Sequence, residues 1–159
     1  MPTTNAINQS KPYALFQAYY SVTTGAVTGD GTAYTIDFDA AQFDEDSNIA
    51  AGTFTVAQDG QYQLGTNLRL GGLAAGHTSC LIQIGKPGLY TDSGIINIGA
   101  IRTPANECSI EAHNILSLSA GDVVNVILTV SGGAKTVTII SNGAGQPDSW
   151  FYGFLINGI

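Results

Sequence analysis

The sequence predicts an all-β sandwich or jelly roll, and three observations carry that reading. Short segments alternate apolar and polar residues, as half-buried strands do. Glycine-containing turns separate these segments at fairly regular intervals. No window of about 11 residues shows the 3.6-residue apolar spacing of an amphipathic helix. The composition agrees: of 159 residues, 44% are hydrophobic and 11% charged, whereas a typical soluble domain carries about 25% charged residues. Thr, Ser, Asn, Gln and Gly take the place of charge at the surface.

Taken in chain order, residues 1–12 are polar, contain Pro2 and Pro12 and have no period. They are expected to form an N-terminal arm, with residues 13–159 as one domain. Tyr13 to Ser21 is aromatic-rich with partial alternation. Ala33 to Phe38 alternates strictly, with Tyr34, Ile36 and Phe38 on one face and Thr35 and Asp37 on the other. Thr53–Val56 reads as a short strand holding Phe54. A longer one starts at Gly60, with Tyr62, Leu64 and Leu68 directed inward. Further strands are expected at Ser79–Ile84, Gly94–Ile101, Ser109–Leu118, Asp122–Val130, Lys135–Ser141 and Ser149–Ile156. Turn signals fall between them, among them Asp59-Gly60, Lys86-Pro87-Gly88, Gly121-Asp122 and Asn142-Gly143.

Two of these strands carry apolar residues on both faces. Val124, Val126 and Leu128 share one side of Asp122–Val130, but Val123 and Ile127 make the other partly apolar. In the last strand Trp150, Phe151, Tyr152, Phe154, Leu155 and Ile156 cannot all face one core. Both patterns predict a second covering surface, such as a neighbouring subunit.

Charge excludes some function classes. A net charge of −7 is repelled by phosphate backbones and anionic leaflets, and there is no basic cluster, so nucleic-acid binding is not expected. No apolar run reaches the ~18 residues of a spanning helix, so membrane insertion is not expected. The first 25 residues hold one Lys and no apolar core, unlike a secretory signal.

Residues with potential chemistry are few. His113 stands two positions after Glu111, which places both on one strand face, where a carboxylate–imidazole pair could form; the pattern is read as surface polar alternation. His77 follows Gly76 in a turn and is expected to be solvated. No Gly-x-Ser-x-Gly elbow is present, and Gly132 to Thr136 lacks the Gly directly before Lys that a phosphate loop requires. Enzymatic activity is therefore not expected. Asp44, Asp46 and Asn48 have the alternation of calcium-loop ligands without the EF-hand glycine; they are read as a solvated turn, with calcium the one cofactor candidate. Cys80 and Cys108 sit in apolar runs and are read as free buried thiols, with a single inter-strand disulfide as the alternative.

The order of motifs resembles the globular head of complement component 1q. The stretch FDAAQFDEDSNIAAGTFTVAQDGQY contains the Asp/Asn turn, glycine, Phe-Thr and Gly-x-Tyr series of that family as Asp44, Asn48, Gly52, Phe54, Thr55, Gly60 and Tyr62. LIQIGKPG, LSLSAGDVVNVIL and SWFYGFLI resemble its later strand-and-turn elements, in the same order. The resemblance spans roughly Tyr13 to Ile156. It implies a ten-strand jelly roll of the complement-1q and tumour-necrosis-factor type, assembled as a homotrimer. It also implies core or trimer roles for Phe54, Tyr62, Val124, Val126, Leu128, Trp150, Phe154 and Leu155. Asp92 to Glu107 matches nothing in the family, and the strand around Lys135–Ile140 reads as longer than usual. The opening MPTTNAINQS resembles those of tailed-phage fibre and head-decoration proteins. Together these readings lead to the expectation of a virion module, a capsid decoration or fibre head, whose arm binds other virion proteins. The alternative is a recognition head for a cell-surface glycan or protein.

Overall fold

The computed structural model describes residues 15–45, 47–143 and 145–158, which form two packed β-sheets. The strands are β1 (Phe16–Tyr19), β2 (Thr24–Thr28), β3 (Ala33–Thr35), β4 (Ala40–Asp44), β5 (Ile49–Ala50), β6 (Thr53–Thr55), β7 (Gly60–Gly71), β8 (Ser79–Lys86) and β9 (Leu89–Asp92). After one helical turn, α1 (Ile98–Ile101), come β10 (Cys108–Leu118), β11 (Val123–Ser131), β12 (Val137–Ile139) and β13 (Trp150–Gly158). The expected arm lies outside the described residues. Among those described, no helix is long and apolar enough to cross a membrane.

The seven-stranded sheet runs β2-β12-β7-β13-β1-β4, with β10 on the other edge of β7. The second sheet runs β5-β6-β11-β8-β9, with β3 also on β11. Every register is antiparallel, so each strand shows one face to its opposite sheet and one away from it. Strand β7 anchors the first sheet. It carries β10 from Gly60 to Leu70 on one edge, while β13 and then β12 share the other. Its residues Tyr62, Leu64, Leu68 and Leu70 are fully buried.

An aromatic cluster joins the sheets. Phe16 lies with its ring centroid 4.6 Å from Phe54 and 5.1 Å from Phe151; Phe54 also meets Tyr62 at 5.7 Å, and Phe38 meets Phe151 at 5.7 Å. The tilted and edge-on geometries suit ring quadrupoles. The Tyr62 hydroxyl donates to the Gln58 carbonyl at 2.8 Å, so this ring is buried without an orphaned polar atom. From the second sheet, Val124, Val126, Leu128 and Val130 of β11 fill the same core.

Several expectations are corrected. Gly94–Ile101 is not a strand. Only Ile96 bridges Cys80, after which the Asn97 side chain accepts from Ala100 N and caps α1. Gly99 is pressed so close to the carbonyls of Ala74, Ala75 and His77 that no Cβ fits there. The strand near Lys135 is shorter than expected, because Thr136 N bonds Ala134 O in a tight turn and a register shift interrupts β12. The two strands read as apolar on both faces stand in different sheets. On β11 the outer residues Asn125, Ile127 and Thr129 are half-buried on the six-stranded sheet. Finally, His77 is not solvated but fully buried. Its Nδ1 accepts from Ala74 N at 2.8 Å, and its Nε2 lies 3.0 Å from the Ala134 carbonyl, to which it donates. The closeness of Gly133 and Gly29 to the ring leaves no space for a side chain at either position.

Truncating the central ring tests this core. Tyr62→Ala is expected to cost about 3–5 kcal/mol, as for other large buried aromatics, measured by chemical denaturation. An unchanged midpoint would show that Tyr62 is not packed as described.

Candidate functional site

The outward face of the seven-stranded sheet carries the most unusual surface of the molecule. The paired registers place its residues in three rows. Tyr19, Trp150, Asn67 and Glu111 form the first, across β1, β13, β7 and β10. Gln17, Tyr152, Gly65 and His113 form the second, and Phe154, Gln63 and Ile115 the third. Phe43 of β4 extends the middle row beyond Gln17 and is 40% exposed. Ile115 is 60% exposed although it sits mid-strand.

Three aromatic rings on alternate positions of β13 form a ladder. Trp150 and Tyr152 lie 5.5 Å apart by centroid, and Tyr152 and Phe154 are stacked at 6.4 Å with 16° between planes. Trp150 and Phe154 are therefore half-buried on the outside rather than in the core, while Leu155 packs partly against the core edge. Tyr152 leans across β7, and its hydroxyl reaches His113 Nδ1 at 3.2 Å. The lean is possible because Gly65 lies beneath the ring; a Cβ there would collide with Tyr152 and with His113 Nδ1. On its other side His113 stands with Nε2 3.5 Å from Glu111, so the structure joins the two side chains that the sequence spacing paired. Both remain largely exposed, where such a pair contributes little to stability.

A charged clamp closes one end of this face. Arg69, further along β7, bonds Glu107 at 2.7 Å and Asp148 at 2.7 Å. Hydrogen bonds that the guanidinium donates to Glu107 first and Asp148 second hold it above its ordinary pKa. The clamp ties the start of β10 to the entry of β13, and its net charge with Glu111 is negative.

Other candidates fall elsewhere. The Asp44 carboxylate accepts from Asn48 N and Ile49 N, each at 2.9 Å, and so closes its own turn. Asp46 lies outside the described residues. Among those described, no group of three His, Cys, Asp or Glu side chains is gathered to hold a metal. Both cysteines are free. Burial, with a smaller effect from Cys108, pushes the Cys80 thiol up to about 12, far from the reactive thiolate range.

No protein-family model matches the chain, and no curated protein does. Solved structures do match. The globular domain of zebrafish complement 1qA is 18% identical and superposes with a TM-score of 0.60 over 94% of this chain and 100% of that one. The chain has a jelly-roll fold like that of complement-1q and tumour-necrosis-factor domains. Murine APRIL at pH 5.0 is similar too, at 11% identity and TM-score 0.58 over 90% and 98% of the chains. So is the PRD1 vertex protein P5, at 13% identity and TM-score 0.55 over 90% of this chain and 73% of that one. The thirteen described strand segments of this jelly roll exceed the ten expected, because short pieces such as β3 and β5 stand apart from the long strands.

Replacing Gly65 probes the ladder separately from the core. Gly65→Ala is expected to push Tyr152 off His113 and to shift the His113 imidazole signals in NMR spectra. The melting temperature should move by only about 5 °C, since the colliding atoms belong to side chains that can swing outward. Unchanged imidazole signals would contradict the Tyr152–Gly65–His113 stack.

Proposed function

We propose that this chain is a non-enzymatic structural head of a virion, a capsid decoration or fibre tip, that works as a homotrimer. The observation that carries the reading is the outward ladder of Trp150, Tyr152 and Phe154, flanked by exposed Ile115 and Phe43. Exposed apolar side chains grouped on one face mark an interaction site on a soluble protein, and aromatic residues are enriched in interfaces. The occupant is a second and third copy of the same face, which brings three aromatic ladders together and leaves the six-stranded sheet outside. Supporting the setting are the likeness to a vertex protein and the low-charge, Thr- and Asn-rich composition. In this reading residues 1–12 are the arm that binds other virion proteins, while residues 13–159 form the jelly roll. Val124, Val126 and Leu128 serve the subunit core, and Trp150 and Phe154 serve the trimer.

The alternative, a recognition head for a glycan or protein, keeps the trimer and differs in what the exposed ends bind.

Size exclusion with light scattering tests the assembly and should give three times 16.5 kDa. Ile115→Lys, at a position open in the subunit, should release monomers, because a lysine cannot be buried unpaired in an apolar interface. A monomeric wild type at micromolar concentration would overturn the reading. Deleting residues 2–11 should leave the trimer mass and melting temperature unchanged and abolish incorporation into the particle. Incorporation without the arm would favour the recognition head.

A further inference from the structure

Away from the aromatic face, the β1–β2 turn and the segment after β3 enclose an open hollow of about 250 Å³ lined by Tyr20, Val22, Thr24, Tyr34, Asp37 and Asp39. Its floor is built. The Tyr20 side chain is only 4% exposed, and its hydroxyl meets that of Tyr34 at 3.1 Å. Burial, the Tyr20 hydrogen bond and nearby charge including Asp37 push the Tyr34 phenol up to about 12, so it stays protonated. On the wall, Asp39 is fixed by Ser21, whose amide donates at 2.8 Å and whose hydroxyl donates to the second oxygen. Burial pulls the Asp39 carboxyl upward, but the Ser21 hydrogen bonds outweigh it and the net direction is down. Thr24 has its proton committed to the Val22 carbonyl at 3.2 Å. Among the described residues, Asp37 has no hydrogen-bond donor, and neither aspartate has a Lys or Arg partner; the salt bridges belong to Arg69, Lys86 and His113.

Counting donors and acceptors decides what would fit. Two phenols bring two protons and four lone pairs, and their mutual bond uses one of each. Of the side-chain hydroxyls that line the hollow, one proton therefore remains free. Against it stand both oxygens of Asp37, the spare lone pairs of Asp39 and Thr24, and three phenolic lone pairs. A neutral sugar, whose hydroxyls donate and accept in equal number, would leave much of this acceptor surface unmatched and the carboxylates uncompensated. A group that only donates and carries positive charge satisfies both. The planar fork of a guanidinium does so with five N–H groups, and Val22, 66% exposed, offers an apolar wall for its methylene stem. At about 250 Å³ the hollow is larger than a bare metal ion fills.

We infer that the Tyr20–Tyr34–Asp37–Asp39 hollow is a docking site for an arginine side chain presented by a partner protein.

The test is a titration of the ¹⁵N-labelled full chain with N-acetylarginine amide, its neutral isostere N-acetylcitrulline amide, and calcium chloride. Arginine amide should shift amide signals clustered in residues 20–24 and 34–39. It should saturate in the millimolar range expected of a single side chain, about 1 mM, and weaken with added salt. Citrulline amide should shift little. Asp37→Asn, which removes an exposed carboxylate that supports no hydrogen bond of the fold, should weaken binding about tenfold, and Tyr34→Phe should weaken it as well. Equal shifts from citrulline amide, arginine shifts scattered over the surface, or clustered shifts from calcium alone would each overturn the assignment.

Discussion

Phe151 is the residue on which the rest of the surface depends. Its ring is fully buried against Phe16 and Phe38, and it pins one face of β13 to the space between the sheets. Side chains of a strand alternate by geometry, not by preference. Once Phe151 points inward, Trp150, Tyr152 and Phe154 must point outward, and no sliding of register can hide them without expelling Phe151. The exposed ladder is thus a consequence of the packing of the core, and the apolar exposure is locked in by antiparallel pairs to β1 on one side and β7 on the other.

Two glycines let both faces of this strand pair hold rings at once. Gly153 lies inward, and a Cβ there would strike Phe16 and Leu64; its absence lets the Phe16 ring close the core. Gly65 lies outward under Tyr152. The first glycine makes room for a ring that stabilises the subunit. The second makes room for a ring that lies flat and presents a broad surface. Flat, rigid aromatic area costs little side-chain entropy to immobilise, which suits the proposed trimer face. The Arg69 clamp to Glu107 and Asp148 then fixes the end of that face where β10 and β13 begin.

Much of this was legible in the sequence. Strict alternation located Ile36 and Phe38, and the glycine turn before Tyr62 located β7, because period and turn chemistry are local properties. The excess of apolar residues in Ser149–Ile156 announces the outward aromatic ladder, since they cannot all face one core. What alternation cannot say is which sheet each strand joins: β11 and β13 both carry apolar outer residues, and they lie in opposite sheets. His77 was misread because its hydrogen bonds go to Ala74 and to Ala134, 57 positions away, and only the fold brings Gly133 against its ring. The hollow escaped for a similar reason: Tyr20 and Tyr34 belong to different segments, and nothing in either segment signals that their hydroxyls meet. The helical turn at Ile98 had a visible signal in Asn97, an N-cap residue inside an apolar run that lacks alternation.

Trp150 is the single tryptophan of the chain, and it stands on the aromatic face, which makes it a native reporter of the central claim that this face is covered by other copies of the same protein. Acrylamide quenching of its fluorescence, followed while the protein is diluted, measures that cover directly. The account predicts blue-shifted, poorly quenched emission at high concentration that becomes red-shifted and strongly quenched as subunits separate. Emission equally open to quencher at every concentration would contradict it.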